Sequence, residues 1–154
     1  MVVNNTKLSS TVTVQRYLEL EAAGDREAIA RFIEKRFDER YFIPMERRDR
    51  SRKHGFALMA VACLVIETLE SFYEGLSDTR RVGGQTFRNF FARNTPLHVF
   101  ADGGNWFYDD IRCGILHQGE ARRGWRIMRQ GPLLDSGGRS INATRFLREL
   151  RTYP

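Results

Sequence analysis

The chain has 154 residues, enough for one domain with a sizeable core, and its 42% hydrophobic and 29% charged residues exclude a disordered chain. Its longest unbroken apolar run, Phe56 to Ile66, has eleven residues, short of the roughly 20 that span a bilayer, so no membrane association is expected. The net charge of +6 rests on arginine, because only three of the 25 basic residues, Lys7, Lys35 and Lys53, are lysine.

The opening "MVVNNTKLSS" has no basic stretch followed by an apolar one, so no secretory signal is expected. Thr11 or Thr13 can cap a first helix whose apolar side is Val14, Tyr17, Leu18 and Leu20, and Gly24 breaks it. Asp25 starts a second helix with Ile29, Phe32, Ile33 and Phe37 on one face, and Pro44 ends it. The run "RRDRSRK" follows. Its Arg47, Arg48, Arg50, Arg52 and Lys53 are candidate phosphate contacts for RNA, or else a solvated loop.

From His54 to Gly75 the chain is apolar nearly all round and then amphipathic, the pattern of a central buried helix closed by glycine. "SDTRRVGGQ" reads as a loop and "TFRNFFARN" as a short helix. Gly103 and Gly104 make a turn before a fifth helix ending at Gly119. Trp125, Ile127 and Leu133 can alternate in a small β-hairpin or irregular excursion near 125–134, and Ser140 caps a last helix. The expectation is a mainly all-α bundle of five or six helices, one domain over residues 1–154. Cys63 and Cys113 form no CxxC pair, consistent with two reduced thiols in a cytoplasmic protein.

The chain has three histidines, and one of them, His117, stands five positions after Arg112 near the end of the fifth helix. RNA carries its own nucleophile, the 2′-hydroxyl. Cleaving it needs a base that works near neutral pH and a cation on the phosphate oxygens, which histidine and arginine supply. On an ideal helix the two side chains would point about 140° apart. They meet if the last turn loosens at Gln118 and Gly119, or if two copies of the helix face each other across a dimer axis. The competing use is structural, with His117 capping the helix and Arg112 in a surface salt bridge to Asp109.

The stretch "RCGILH" fits an R-x4-H signature, and together with a small helical architecture it resembles the HEPN superfamily. That resemblance implies a metal-independent endoribonuclease without cofactors. Arg112 would hold the scissile phosphate, and His117 would act as general base or acid. It also implies a homodimer acting on RNA in a toxin or phage-defence setting, with an antitoxin or other protein as a further partner. Many active members carry a polar residue directly after the arginine, where this chain has Cys113. Members modified by a nucleotidyltransferase carry a tyrosine where this chain has Gly119. The alternative is a non-catalytic helical module that binds nucleic acid or a protein.

Other residues weigh less. Cys113 and His117 could touch one metal, but no second pair has matching spacing. His54 follows the basic run at a helix start, and His98 reads as structural. Asp109 and Asp110 could orient the motif pair, and Trp106, Phe107 and Tyr108 could stack on bases or pack in the core.

Overall fold

The computed structural model describes residues 5–46, 53–77, 83–93, 96–101 and 103–152. The chain divides into two compact units, Met1–Arg47 and Arg48–Pro154.

In the first unit, Thr13 is the residue that caps α1 (Val14–Ala22), its hydroxyl accepting from the Arg16 N–H. Leu20 is buried, whereas Leu18, expected on the apolar side, is half exposed because the helix turns it to solvent. Gly24 takes the left-handed conformation that ends α1, and Asp25 caps α2 (Arg26–Phe37) by accepting from Ala28 N–H. Tyr17 and Phe32 bring the two helices together, with ring centroids 5.7 Å apart.

Pro44 does not end this element. A π-helical segment, Asp38–Phe42, continues α2 into α3 (Ile43–Glu46), and Pro44 stands inside that last turn. The Ile43 N–H reaches back five residues to the Asp38 carbonyl. Proline lacks an N–H and crowds the preceding turn of a regular helix, and the wider turn gives it room.

The second unit is built on α4 (Gly55–Glu74), whose left-handed Gly75 closes it as expected. Leu58, Met59, Ala62, Cys63, Val65 and Ile66 are buried along it. The helix is 20 residues long, and an 18-residue window of it has a mean hydropathy of 1.7, long and apolar enough to cross a membrane by length and composition; half of that window is buried inside the protein. The eleven-residue apolar run therefore understates it, since the helix continues past Glu67 for two more turns.

Helix α5 (Gly83–Ala92) starts three residues earlier than the sequence "TFRNFFARN" suggests, taking in both glycines. A 3₁₀ turn, His98–Phe100, follows. A second π segment, Phe107–Arg112, leads into α6 (Cys113–Gln118). Phe87, Phe91, Phe100, Phe107 and Phe146 form one aromatic core, with Phe91–Phe107 and Phe100–Phe146 centroids each 5.0 Å apart. Burying one such ring fully is worth about 1.5–3 kcal/mol.

The small extended feature expected near 125–134, as a β-hairpin or an irregular excursion, is part of a three-stranded sheet and not a hairpin. Strands β1 (Arg126–Met128), β2 (Leu134–Asp135) and β3 (Ser140–Asn142) form this sheet in the order β1-β3-β2. β3 lies in the middle, parallel to β1 with Ile127 opposite Ile141 and antiparallel to β2 with Leu134 opposite Ile141. Ser140 accordingly begins a strand rather than capping a helix. Asn142 caps α7 (Ala143–Arg151), its side-chain oxygen accepting from Arg145 N–H. The buried Ile141 explains the difference, because its side chain is fixed in the core just before the helix can start. Continuous stretches counted once, six helical rods stand among the described residues, beside this one small sheet.

Candidate active site at Arg112 and His117

Arg112 closes the second π segment. Here the Cys113 N–H bonds to the Tyr108 carbonyl five residues back, so the straight-helix offset between Arg112 and His117 does not hold through the junction. π turns of this kind recur at functional sites. The Arg112 Nη1 group lies 3.1 Å from His117 Nε2, within a single chain and without a second copy. A hydrogen bond there needs a neutral ring with its lone pair on Nε2, because a protonated imidazole has no acceptor.

Glu67 of α4 fixes the guanidinium. Arg112 Nε donates to Oε1 at 2.6 Å and Nη2 to Oε2 at 3.3 Å. Both side chains are about four-fifths buried, at 19% and 18% exposed, while His117 is exposed. The Tyr108 ring lies under the cation, with its centroid 5.5 Å from Cζ, close enough for a cation–π contact. Tyr108 lies tightly against Gly83; a Cβ there would collide with the phenol hydroxyl, so the ring would have to shift.

The electrostatics keep Arg112 charged. Burial opposes its charge, but the Glu67 hydrogen bonds and charge, with Tyr108 and Cys113 beside it, outweigh that and raise its pKa. Burial also raises the Tyr108 phenol, helped by its hydrogen bond with Cys113, so it stays protonated. Cys63, fully buried one turn before Glu67, is pushed up chiefly by desolvation and is an inert thiol.

The end of α6 holds His117 in place. Gly119 adopts the left-handed conformation, and its N–H bonds to the Ile115 carbonyl. The chain then folds back across Gly114, where a Cβ would run into the Glu120 carbonyl oxygen. The "G" of "RCGILH" is thus required by a close backbone approach.

The other residues named from the sequence have different roles. Arg112 pairs with Glu67, not Asp109. Asp110 is buried and its Oδ1 lies 3.4 Å from Arg123 Nε, so it is engaged away from the motif pair. His54 precedes α4 without a side-chain capping bond. His98 Nδ1 is 3.0 Å from the Phe91 carbonyl, a structural contact. Phe107 is core, and Trp106 stacks on Trp125 at 4.4 Å. Lys53 is exposed; Arg47, Arg48, Arg50 and Arg52 lie outside the described residues. Among the described residues no group of three or more His, Cys, Asp or Glu is placed to hold a metal.

Spacing singles out Arg112 and His117 but not Glu67. The available signal was that Glu67 is the first charge after eleven apolar residues on the most buried helix. No family model, curated protein or solved structure matches the chain.

Proposed function

We propose that the protein is a metal-independent endoribonuclease of HEPN type, acting as a homodimer in a toxin or phage-defence setting. The observation that carries this is the 3.1 Å contact between Arg112 and His117, with Arg112 held from behind by Glu67. Glu67 and His117 use three of the five N–H donors of the guanidinium, so donors remain for a phosphate oxygen. His117 is exposed, where a 2′-hydroxyl can reach it.

In the proposed step the 2′-hydroxyl replaces the Arg112 N–H at His117 Nε2, which takes its proton as the 2′-oxygen attacks phosphorus. The bond to the 5′-oxygen breaks, and that oxygen leaves with a proton taken from water. The products are a 2′,3′-cyclic phosphate end and a 5′-hydroxyl end. Arg112 stabilises the charge that builds on the phosphoryl oxygens. Arginines 47, 48, 50 and 52 with Lys53 would add affinity without sequence preference.

The test is cleavage of single-stranded and structured RNAs in EDTA by wild type, His117→Ala and Arg112→Ala. Wild type should leave cyclic phosphate ends and spare DNA. Each substitution should cost about a hundred- to ten-thousand-fold. Wild type that binds these RNAs and cuts none of them would assign a binding module instead, and variants that cut like wild type would remove the pair from the chemistry.

A further inference from the structure

A cavity of about 280 Å³ opens in the second unit, and none of its lining belongs to the Glu67–Arg112–His117 cluster. Arg129, Arg145 and Arg148 line it, with Gln130, Asn142 and Thr144 between them. Among the described residues no carboxylate is part of that lining. Three guanidinium groups around one concave space attract an anion to it.

The geometry is built rather than incidental. Arg129 Nε donates to Thr144 Oγ1 at 2.7 Å, which fixes the direction of that guanidinium. Asn142 is 3% exposed and tied on both sides, donating to the Gly131 carbonyl and accepting from Arg145 N–H. The first turn of α7, with its positive dipole end, therefore opens on the cavity. Arg148 makes only a 3.5 Å pairing with Glu149, between side chains 63% and 31% exposed, a contact easily given up. The chain enters α4 beside the same wall, since a Cβ on Gly55 would lie 3.8 Å from Arg129 Cδ.

We propose that this cavity binds the phosphate group of a small ligand, of the size of inorganic phosphate or a mononucleotide. Arginine forks match phosphate oxygens in pairs, and Gln130 and Thr144 add neutral polar partners. The volume lies at the low end of small-molecule sites, which suits a phosphate with at most one nucleoside attached.

The experiment is isothermal titration calorimetry of the full chain with sodium phosphate and with adenosine monophosphate, against chloride at equal ionic strength. Wild type should bind at least one of the two. Arg145→Gln and Arg129→Gln should each weaken binding at least about tenfold. Arg145 is exposed on α7, so its variant keeps the fold, which circular dichroism checks. Tighter binding of the nucleotide assigns the site to nucleotides, and equal binding assigns it to free phosphate. His117→Ala should bind as wild type does, which separates this site from the proposed cleavage chemistry. No heat above the chloride reference, or variants indistinguishable from wild type, would overturn the proposal.

Discussion

Helix α4 carries two glutamate–arginine–tyrosine groups one turn apart, and they are used differently. Glu70 pairs with Arg93, whose Cζ lies 4.0 Å from the Tyr73 ring centroid. Glu67 pairs with Arg112 over Tyr108. Glu70 takes both Nη groups of Arg93, the outward fork that a phosphate would need. Glu67 takes Nε and Nη2, which turns Nη1 to His117. A carboxylate on the fork completes a structural pair. A carboxylate on the side edge holds an arginine in place and leaves it able to act.

The sharpest way to break this comparison is Arg→Lys at both positions. Lysine keeps the charge, so neither carboxylate is stranded, but it loses the planar fork. In the proposed ribonuclease, Arg112→Lys should lower the cleavage rate about ten- to a hundredfold. Arg93→Lys should leave the rate of the folded protein unchanged. Equal losses would mean that both pairs serve the fold alone.

Stability should order the pairs the other way. Glu70 is 1% exposed, and removing it breaks a buried charge-assisted pair and leaves a hole in the core; Glu70→Ala should cost about 3–5 kcal/mol in urea unfolding. Glu67→Ala should cost less, about 1–3 kcal/mol, because Glu67 itself reaches water, at 18% exposed against 2% for the Glu70 side chain. A larger loss at Glu67 would reverse the assignment of structural and functional pairs.

The helical class, the caps at Thr13 and Asp25 and the glycine stops at 24, 75 and 119 were legible because each rests on local backbone chemistry. The motif pair was legible as spacing, though not its geometry. The two π segments were hidden because a one-residue slip in hydrogen bonding leaves the apolar pattern nearly intact. β3 was hidden for another reason. Three residues, Ser-Ile-Asn, are too short a run for alternation to mark a strand, and their pairing to β1 and β2 is set by where Ile141 is buried. Glu67 needed the third dimension, being 45 residues away from its partner.

Gly114 offers a way to move His117 without touching the pair. Gly114→Ala pushes a methyl group into the Glu120 carbonyl, where backbone must shift. The expected cost is about 1–3 kcal/mol, with a loss of cleavage that exceeds the loss of folded protein. Arg93 and Glu70 lie on other elements, so their pair should be unaffected. A variant as stable and active as wild type would show that the fold-back at Glu120 does not position the histidine.

The smallest effect concerns the thiol one turn before Glu67. Burial raises the Cys63 pKa, with Glu67 and Cys113 adding to the rise and Arg112 opposing it. A raised folded-state pKa means that the unfolded chain loses its thiol proton first, near the ordinary value of about 8.5. The stabilisation is therefore complete below that pH and declines as pH rises above it. By pH 9.5 the loss from this one group should be about 1.4 kcal/mol. Urea unfolding across pH 7.5 to 9.5 checks it, with the pH points taken as about one unit either side of the thiol range. Cys63→Ala should remove that part of the alkaline slope. Glu67→Gln should leave most of it, because desolvation is the first cause and the carboxylate only the second. If Glu67→Gln flattens the slope as fully as Cys63→Ala does, the ion pair and not burial governs the thiol, and the Glu67 group is more strongly charged toward the core than the Glu70 comparison implies.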